Sequence, residues 1–575
     1  MSKADYISKL KDRSQQSHKG LFITGPGEIQ LLEDTLPEES FTDDSIITFS
    51  LGNCRCASDQ KAIKQFHEHT RIPKDATQIA LGHETLQLVI KTAEDSPVEV
   101  GDIVLVTPGH SALPINPVTF EEDKNGILTA LGYSYRYLGG LREFNMIPAK
   151  AATFVRDQGF GSLFNKTATN KDISMPSFAH AEPFACNYGT NKFIFFIDED
   201  NQFSYGVPPR ATLAYLGGTA RMAMINLTIV ANVPDDELPK VIYITGSQSK
   251  LDELEEFDLI KSLKAKGVEF VLIDRKADDI IEQLQSSGKS DVIWTNFPAA
   301  EVYEQATAIV APGGNINNYA GASDPDLVLT MPIATAPTFA SLEEEATAQV
   351  AAMHHNVHPL DENHHWGLAK EPVVACLGFD EEKLQVYKDA CGCKVYSSLD
   401  EDSNIDFSDV FIAASGDEAA KLYSDVELRL LRNAAVNFVA GATVIGIRSR
   451  FSHYTSRHQI CGKNVPWTMT NTSEPHADDM AIQAQNPIDF DWMLKGVCGL
   501  NATIEMMDDV QATTPFGSFF VYTELPDLPY LAVDADAFRK EGFNDVADLL
   551  EKNGNCWSRK IEEKLYEAHG LTHPL

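Results

Sequence analysis

From about residue 205 onward, short apolar strands alternate with helical stretches, and part of that alternation is written twice. Leu213-Ala214-Tyr215-Leu216 runs into Gly217-Gly218 and then into a small-residue helix over Ala220–Ala231. Val241–Ile244 and Phe270–Ile273 follow as strands, with helical spacing over Leu251–Lys266 between them. Strand and helix alternating in this way predict an α/β fold, a doubly wound parallel sheet covered by helices on both faces. The segment Ser290-Asp291-Val292-Ile293-Trp294, leading to Ile316-Asn317-Asn318-Tyr319-Ala320-Gly321, returns further on. Its echo is Ser408-Asp409-Val410-Phe411-Ile412, leading to Val436-Asn437-Phe438-Val439-Ala440-Gly441. Val373–Gly378, upstream of the echo, reads as another strand entering a turn. A partial duplication of an α/β half-domain is therefore expected.

Residues 20–185 have a different texture. Ile46–Leu51, Thr77–Thr92 and Asp102–Thr107 are short apolar or alternating runs between Gly, Pro and acidic turns, the pattern of a β-rich segment. The 575-residue chain carries a formal net charge of −36, which opposes binding to nucleic acid or to an anionic membrane. A local basic pocket for a small anionic substrate remains compatible with that charge. The first twenty residues lack the apolar stretch of a secretory signal, and no apolar run reaches the roughly 18 residues needed to cross a bilayer. Nine cysteines, an odd and sparse number, fit reduced thiols and a cytoplasmic setting.

Two short motifs carry chemistry. Cys56-Ala57-Ser58-Asp59 and Gly82-His83-Glu84 supply a thiol and an imidazole, both good zinc ligands, with a hydroxyl two residues after the thiol. A third candidate ligand lies in Ala181-Glu182-Pro183-Phe184-Ala185-Cys186. Three protein ligands leave a tetrahedral zinc one position for substrate or water, which suits Lewis-acid activation of an alcohol or carbonyl. His354-His355, His358 and His364-His365 are dense but show no pattern with a known mechanism and read as a polar surface loop. Cys391-Gly392-Cys393 is too close a pair for a zinc knuckle and reads as inert.

In order along the chain, these pieces resemble the zinc-dependent medium-chain dehydrogenases, in particular the L-sorbose-1-phosphate reductase-like branch. The resemblance rests on the two motifs above, on Gly132-Tyr133-Ser134-Tyr135-Arg136-Tyr137-Leu138-Gly139-Gly140, and on Ala181-Glu182-Pro183. It continues through His476-Ala477-Asp478-Asp479-Met480, Gly499-Leu500-Asn501, Phe519-Phe520-Val521-Tyr522 and Asp527-Leu528-Pro529. It implies a GroES-like catalytic domain over 1–200, a Rossmann-like cofactor domain over 205–335, and a C-terminal return over 466–575. Residues 336–465 exceed the family's usual length and hold the extra half-domain. By position it implies zinc on Cys56, His83 and Glu182, with Glu84 beside it or as an exchangeable ligand. Ser58 would relay the substrate proton and Asp59 would orient the ligands. Arg136 and Arg142 are candidates for an anionic substrate group. The four-cysteine lobe of many relatives is absent, because no cysteine lies between Cys56 and Cys186.

The nucleotide turn departs from the family pattern. A dinucleotide fold wants Gly-x-Gly-x-x-Gly where the first strand enters its helix. Here Gly218-Thr219-Ala220-Arg221-Met222-Ala223 keeps the first glycine and has alanines, Ala220 and Ala223, at the other two places. After the second strand, Ser247, Ser249 and Lys250 stand where NAD enzymes carry an acid. They suit the 2′-phosphate of NADP, or form an ordinary polar turn. The expectation is a zinc-dependent oxidoreductase moving hydride between NADP or NAD and a polyol, sugar or sugar phosphate, as a homo-oligomer. Two alternatives stay open: a lyase or epimerase using a tightly bound nicotinamide, and a non-catalytic scaffold with an eroded cofactor turn.

Overall fold

The computed structural model describes residues 3–36, 41, 43, 45–69, 72, 74–94, 96–107, 139–149, 152–154, 173–192, 194–197, 203–219, 221–286, 288–297, 299–317, 319, 328–330, 339–355, 365–440, 446–448, 457–460, 463–464, 467–468, 476–485, 487–513 and 517–575. The fold is α/β, and the chain divides into two compact units, residues 1–187 with 473–575, and residues 188–472. Among the described residues no helix is long and apolar enough to cross a membrane.

The first unit is built on an eight-stranded, largely antiparallel sheet around Ser45–Cys54, which is buried along its whole length. Two of its hydroxyls are satisfied inside the sheet: Thr48 donates to Gln87 at 2.7 Å and Ser50 to the Gly140 carbonyl at 2.6 Å. Glu84–Thr92 lies antiparallel on one side. Ser518–Tyr522, from the C-terminal return, lies antiparallel on the other, so the far end of the chain completes the sheet. A three-stranded sheet of Glu28–Asp34, His18–Gly25 and Ile79–Ala80 stands beside it in the chain.

The second unit holds two parallel sheets. In the first, Glu269–Asp274, Val241–Gly246, Thr212–Leu216, Ser290–Thr295, Val310–Asn317 and Trp467–Thr468 lie in that order, which is 3-2-1-4-5-6 in chain order. This is the doubly wound order whose switch point lies between strands 1 and 4. The helical run expected over Leu251–Lys266 is two helices, Gln248–Glu255 and Asp258–Ala265, broken where Phe257 takes an extended conformation before the second. In the second sheet Val395–Tyr396, Val374–Leu377, Phe407–Ile412, Leu430–Phe438 and Arg457–Ile460 lie parallel, with Lys463–Asn464 antiparallel at the edge.

The two sheets share irregularities as well as order. Between Ser290 and Val292 the partner strand advances from Val310 to Asn315. Between Phe407 and Asp409 it advances from Leu430 to Ala435. Each sheet is also preceded by the same prelude. Helix Ala181–Lys192 and hairpin Phe195–Ile197/Phe203–Tyr205 come before the first, helix Leu342–Ala351 and hairpin His354–His355/His365–Trp366 before the second. The glycine after each hairpin has positive φ, +98° at Gly206 and +100° at Gly367, a region open to residues without a Cβ. Each donates its amide to the residue before the hairpin, Gly206 to Ile194 at 2.9 Å and Gly367 to Met353 at 2.8 Å. The histidine-rich stretch is thus partly a hairpin; His358 and His364 lie outside the described residues.

Candidate functional site

Strand pairing in the first unit brings the two motifs together. Cys54 at the end of one strand is paired with Glu84 at the start of its neighbour in the sheet, which brings Cys56, two residues beyond Cys54, close to His83, the residue before Glu84. Gly82 has φ +93°, and a Cβ there would lie 2.7 Å from Asn53 Oδ1 and 2.8 Å from the Leu141 amide nitrogen, so glycine alone fits. The Gly140 amide donates to the Gly82 carbonyl at 2.7 Å and fixes the His83 loop from the other side. Gly132–Leu138, the rest of that block, and Arg136 within it lie outside the described residues.

Cys56 is the extended residue that opens the helix Ala57–Gln65. Asp59, buried in the first turn, accepts the Cys56 amide at Oδ2 (3.0 Å) and faces His83 Nδ1 with Oδ1 (3.4 Å). One carboxylate therefore fixes the backbone of one ligand-type residue and the ring of the other. A proton held on Nδ1 by Asp59 leaves the Nε2 lone pair outward, the tautomer a metal ligand needs. Ser58 Oγ stands 3.1 Å from that Nε2.

The ligand-type atoms of Cys56, His83 and Glu84 all lie within 4.8 Å of one another, and His83 and Glu84 are buried. In a tetrahedral zinc site, bonds of about 2.0–2.3 Å place ligand atoms roughly 3.3–3.8 Å apart, so small side-chain rotations bring this set into range. Thiolate, imidazole and carboxylate are donors that zinc accepts, and the residues fit the ion. Glu182 falls outside this set. It sits in the first turn of Ala181–Lys192, where the Cys186 thiol donates to its Oε1 at 3.6 Å.

The expectation that Arg142 receives an anionic substrate fails. Its side chain is fully buried, donating Nε–H to His18 at 3.1 Å and pairing with Asp34 at 2.9 Å. Burial, with the Arg142 cation next, pushes His18 down to about 4, so the ring stays neutral and accepts that bond. Arg142 holds the N-terminal strands together, and no substrate reaches it.

In the second unit the first strand, Thr212–Leu216, enters helix Arg221–Val230 through Gly217-Gly218-Thr219; Ala220 lies outside the described residues. A Cβ on Gly218 would lie 2.5 Å from Tyr215 Cβ and 2.6 Å from the Tyr215 carbonyl oxygen. The amides of Gly217 and Gly218 donate to Thr245, at its Oγ1 (2.8 Å) and its carbonyl (2.9 Å). An incoming diphosphate would therefore meet the chain from Thr219 onward and the first turn of the helix, which carries no acid. Ala223 is fully buried in that helix. Ser247 is the extended residue preceding helix Gln248–Glu255; Ser249 is exposed in its first turn and Lys250 half-buried. The strand order and the acid-free first turn of the helix fit the diphosphate of a dinucleotide.

Two further residues stand at the carboxyl ends of these strands. Arg275 follows Glu269–Asp274, donates its amide to the Gly246 carbonyl at 2.8 Å and lays its guanidinium 5.7 Å from the Phe297 ring centroid. Phe297 is 46% exposed, and its Cβ lies 2.6 Å from where a Gly217 Cβ would be. No motif in the sequence marks them; their place in the fold does, because ligands of open α/β sheets bind beyond the carboxyl ends of the strands.

No family model matches the chain. Mannitol-1-phosphate 5-dehydrogenase of Aliivibrio fischeri is 24% identical over 312 residues, covering 52% of this chain and 67% of the relative. L-Sorbose 1-phosphate reductase of Klebsiella pneumoniae is 22% identical over 322 residues, covering 54% and 70%. Galactitol-1-phosphate dehydrogenase from Escherichia coli, a solved structure, superposes with a TM-score of 0.47 at 10% identity, covering 88% of this chain and 99% of that one. The two curated relatives are oxidoreductases by name.

Proposed function

We propose that the chain is a zinc-dependent oxidoreductase transferring hydride between NADP, or NAD, and a polyol, sugar or sugar phosphate. The observation that supports this most is the cluster of half-buried Cys56 with buried His83 and Glu84, in which Cys56 and His83 are both tied to Asp59. The names of the curated relatives support the substrate class, with a phosphorylated polyol or ketose first to be tried.

In this reading Cys56, His83 and Glu84 hold the ion, and Glu182 is the further carboxylate assigned from sequence. The bound metal supplies polarisation of the substrate oxygen, and the nicotinamide supplies hydride acceptance or donation. Asp59 keeps the proton of His83 on Nδ1 and the Cys56 amide in place. Ser58 Oγ carries the substrate hydroxyl proton outward. In the second unit Gly218 lets the strand–helix turn close tightly, while Ser247, Lys250 and Arg275 present hydroxyl and cationic groups to the 2′-phosphate of NADP.

The test is metal analysis of the purified protein together with NADPH consumption on sugar phosphates. The expected result is one zinc per chain, lost in Cys56→Ala together with turnover. Glu84→Ala is expected to lower zinc content more than Glu182→Ala. A zinc-free protein in which Cys56→Ala changes neither metal content nor activity would falsify the reading.

A further inference from the structure

We infer that the second α/β copy, residues 342–464, serves the first as a subunit partner built into the same chain, occupying the edge where a second copy of this protein would otherwise pair. The chain order supports an insertion. The first copy's fifth strand is Val310–Asn317, and its sixth, Trp467–Thr468, returns only after the second copy has been completed. The second copy's own sixth strand, Arg457–Ile460, lies in the corresponding place beside Leu430–Phe438. These two sixth strands approach within 8 Å between Cα atoms.

The pairing between the copies has the symmetry of a homodimer. After its fifth strand each copy extends a short arm, Val328–Thr330 in the first and Gly446–Arg448 in the second. The arms pair antiparallel as Val328 with Arg448, Leu329 with Ile447 and Thr330 with Gly446. Ser290 and Ser408, Val328 and Gly446, and Thr330 and Arg448 are each 118 residues apart. Exchanging the copies therefore turns the first pair of the ladder into the last and leaves Leu329–Ile447 on the axis. A contact in which residue i meets j and j meets i is the isologous contact of a two-fold dimer. Arms are matched by helices. Ala300–Ile309 packs on the first arm and Gly416–Val426 on the second, and their tyrosines, Tyr303 and Tyr423, enter one buried apolar cluster.

The second copy's first turn is not shaped for a ligand, which leaves partnership as its use. Gly378 repeats the positive φ of Gly217, +75° against +71°, but the helix that follows opens on Asp380, Glu381 and Glu382. Asp380 already accepts the Lys383 amide at 2.8 Å. An anion arriving there meets carboxylates.

Cross-linking of the full-length chain tests the inference. Leu329→Cys/Ile447→Cys is treated with a short bis-maleimide, with the unsubstituted protein as the control for native cysteines. The expected result is a link within one chain, seen by peptide mapping, while Leu329→Cys alone and Ile447→Cys alone add no cross-linked dimer over the control. A dimer band from Leu329→Cys alone means that the arm pairs between chains, and this overturns the inference. Failure of the folded double variant to link, with both thiols shown to react with a mono-maleimide after denaturation, overturns it as well.

Discussion

The two α/β copies of the second unit have one skeleton and opposite chemistry at the point where a nucleotide would bind. Both run helix, hairpin, strand and positive-φ glycine, and both carry the same register jump between a central strand and its neighbour. Past the glycine they part. Gly218-Thr219 leads to a helix whose first turn has no acid, whereas Phe379-Asp380 leads to one that opens with two. Acids near a helix N-terminus are worth about 0.3–1 kcal/mol each to the helix, and they take the place an anion would use. The comparison teaches that the strand–helix frame and the capacity for a dinucleotide are separable. A few residues after the first strand decide the second without disturbing the first.

The largest expected effect concerns what the copies share. Tyr303 belongs to the first copy yet is buried in an apolar cluster made mostly of the second, at 1% exposure. Truncating a buried aromatic costs roughly 3–5 kcal/mol. Tyr303→Ala should therefore lower unfolding stability by about that amount and raise hydrogen exchange in Phe407–Ile412 and Leu430–Phe438 as well as in its own helix. If exchange rises in the first copy alone, the copies do not stabilise each other.

The next effect separates the two turns. Gly218→Ala forces a Cβ against the Tyr215 backbone, which cannot yield as a side-chain tip does. NADPH binding, followed by fluorescence titration, should weaken by at least ~100-fold, equivalent to about 2.7 kcal/mol. Gly378→Ala, in the second copy at the place that Gly217 holds in the first, should cost stability through its positive φ and leave NADPH affinity where it was. Equal loss of affinity in both variants would erase the functional difference between the copies.

A smaller effect reads the cofactor. Hydrogen bonds to charged groups contribute about 1.5–3 kcal/mol, so Arg275→Ala should weaken NADPH by roughly tenfold or more and NADH far less. Parallel titrations give the ratio. Loss of both nucleotides to the same extent would mean that the guanidinium supports Phe297 and does not read the 2′-phosphate.

Much of this is legible in the sequence. The alternation of apolar strands with helices announced the parallel sheets, and the echo of Ser290–Trp294 in Ser408–Ile412 marked strands that do occupy matching places. The preludes were illegible, because Phe195–Ile197 and His354–His355 share no residue type and only Gly206 and Gly367 repeat. The insertion was hidden by its closing strand, since a two-residue strand at Trp467–Thr468 has no periodicity to detect. At the candidate metal centre, thiol, imidazole and hydroxyl were visible as types, and antiparallel pairing of Cys54 with Glu84 explains their meeting. Spacing could not choose between Glu84 and Glu182, because one adjoins its partner along the chain and the other depends on tertiary structure. Arg142 illustrates the same limit. A buried arginine tying His18 to Asp34 and an arginine facing a substrate look identical in sequence.

The smallest predicted effect is the sharpest control on the comparison. Asp380 caps its helix with a hydrogen bond from the Lys383 amide, and loss of such a cap costs typically ~1 kcal/mol. Asp380→Ala should therefore lower unfolding stability by about that much in a denaturant titration. Affinity for NADPH should stay unchanged, because the self-capped turn takes no part in binding. The stoichiometry should stay at one nucleotide per chain, since Glu381 and Glu382 still repel an anion after the cap is gone. A second nucleotide equivalent bound by Asp380→Ala would mean that this single carboxylate kept the site shut, and that the second copy retains a dormant dinucleotide turn.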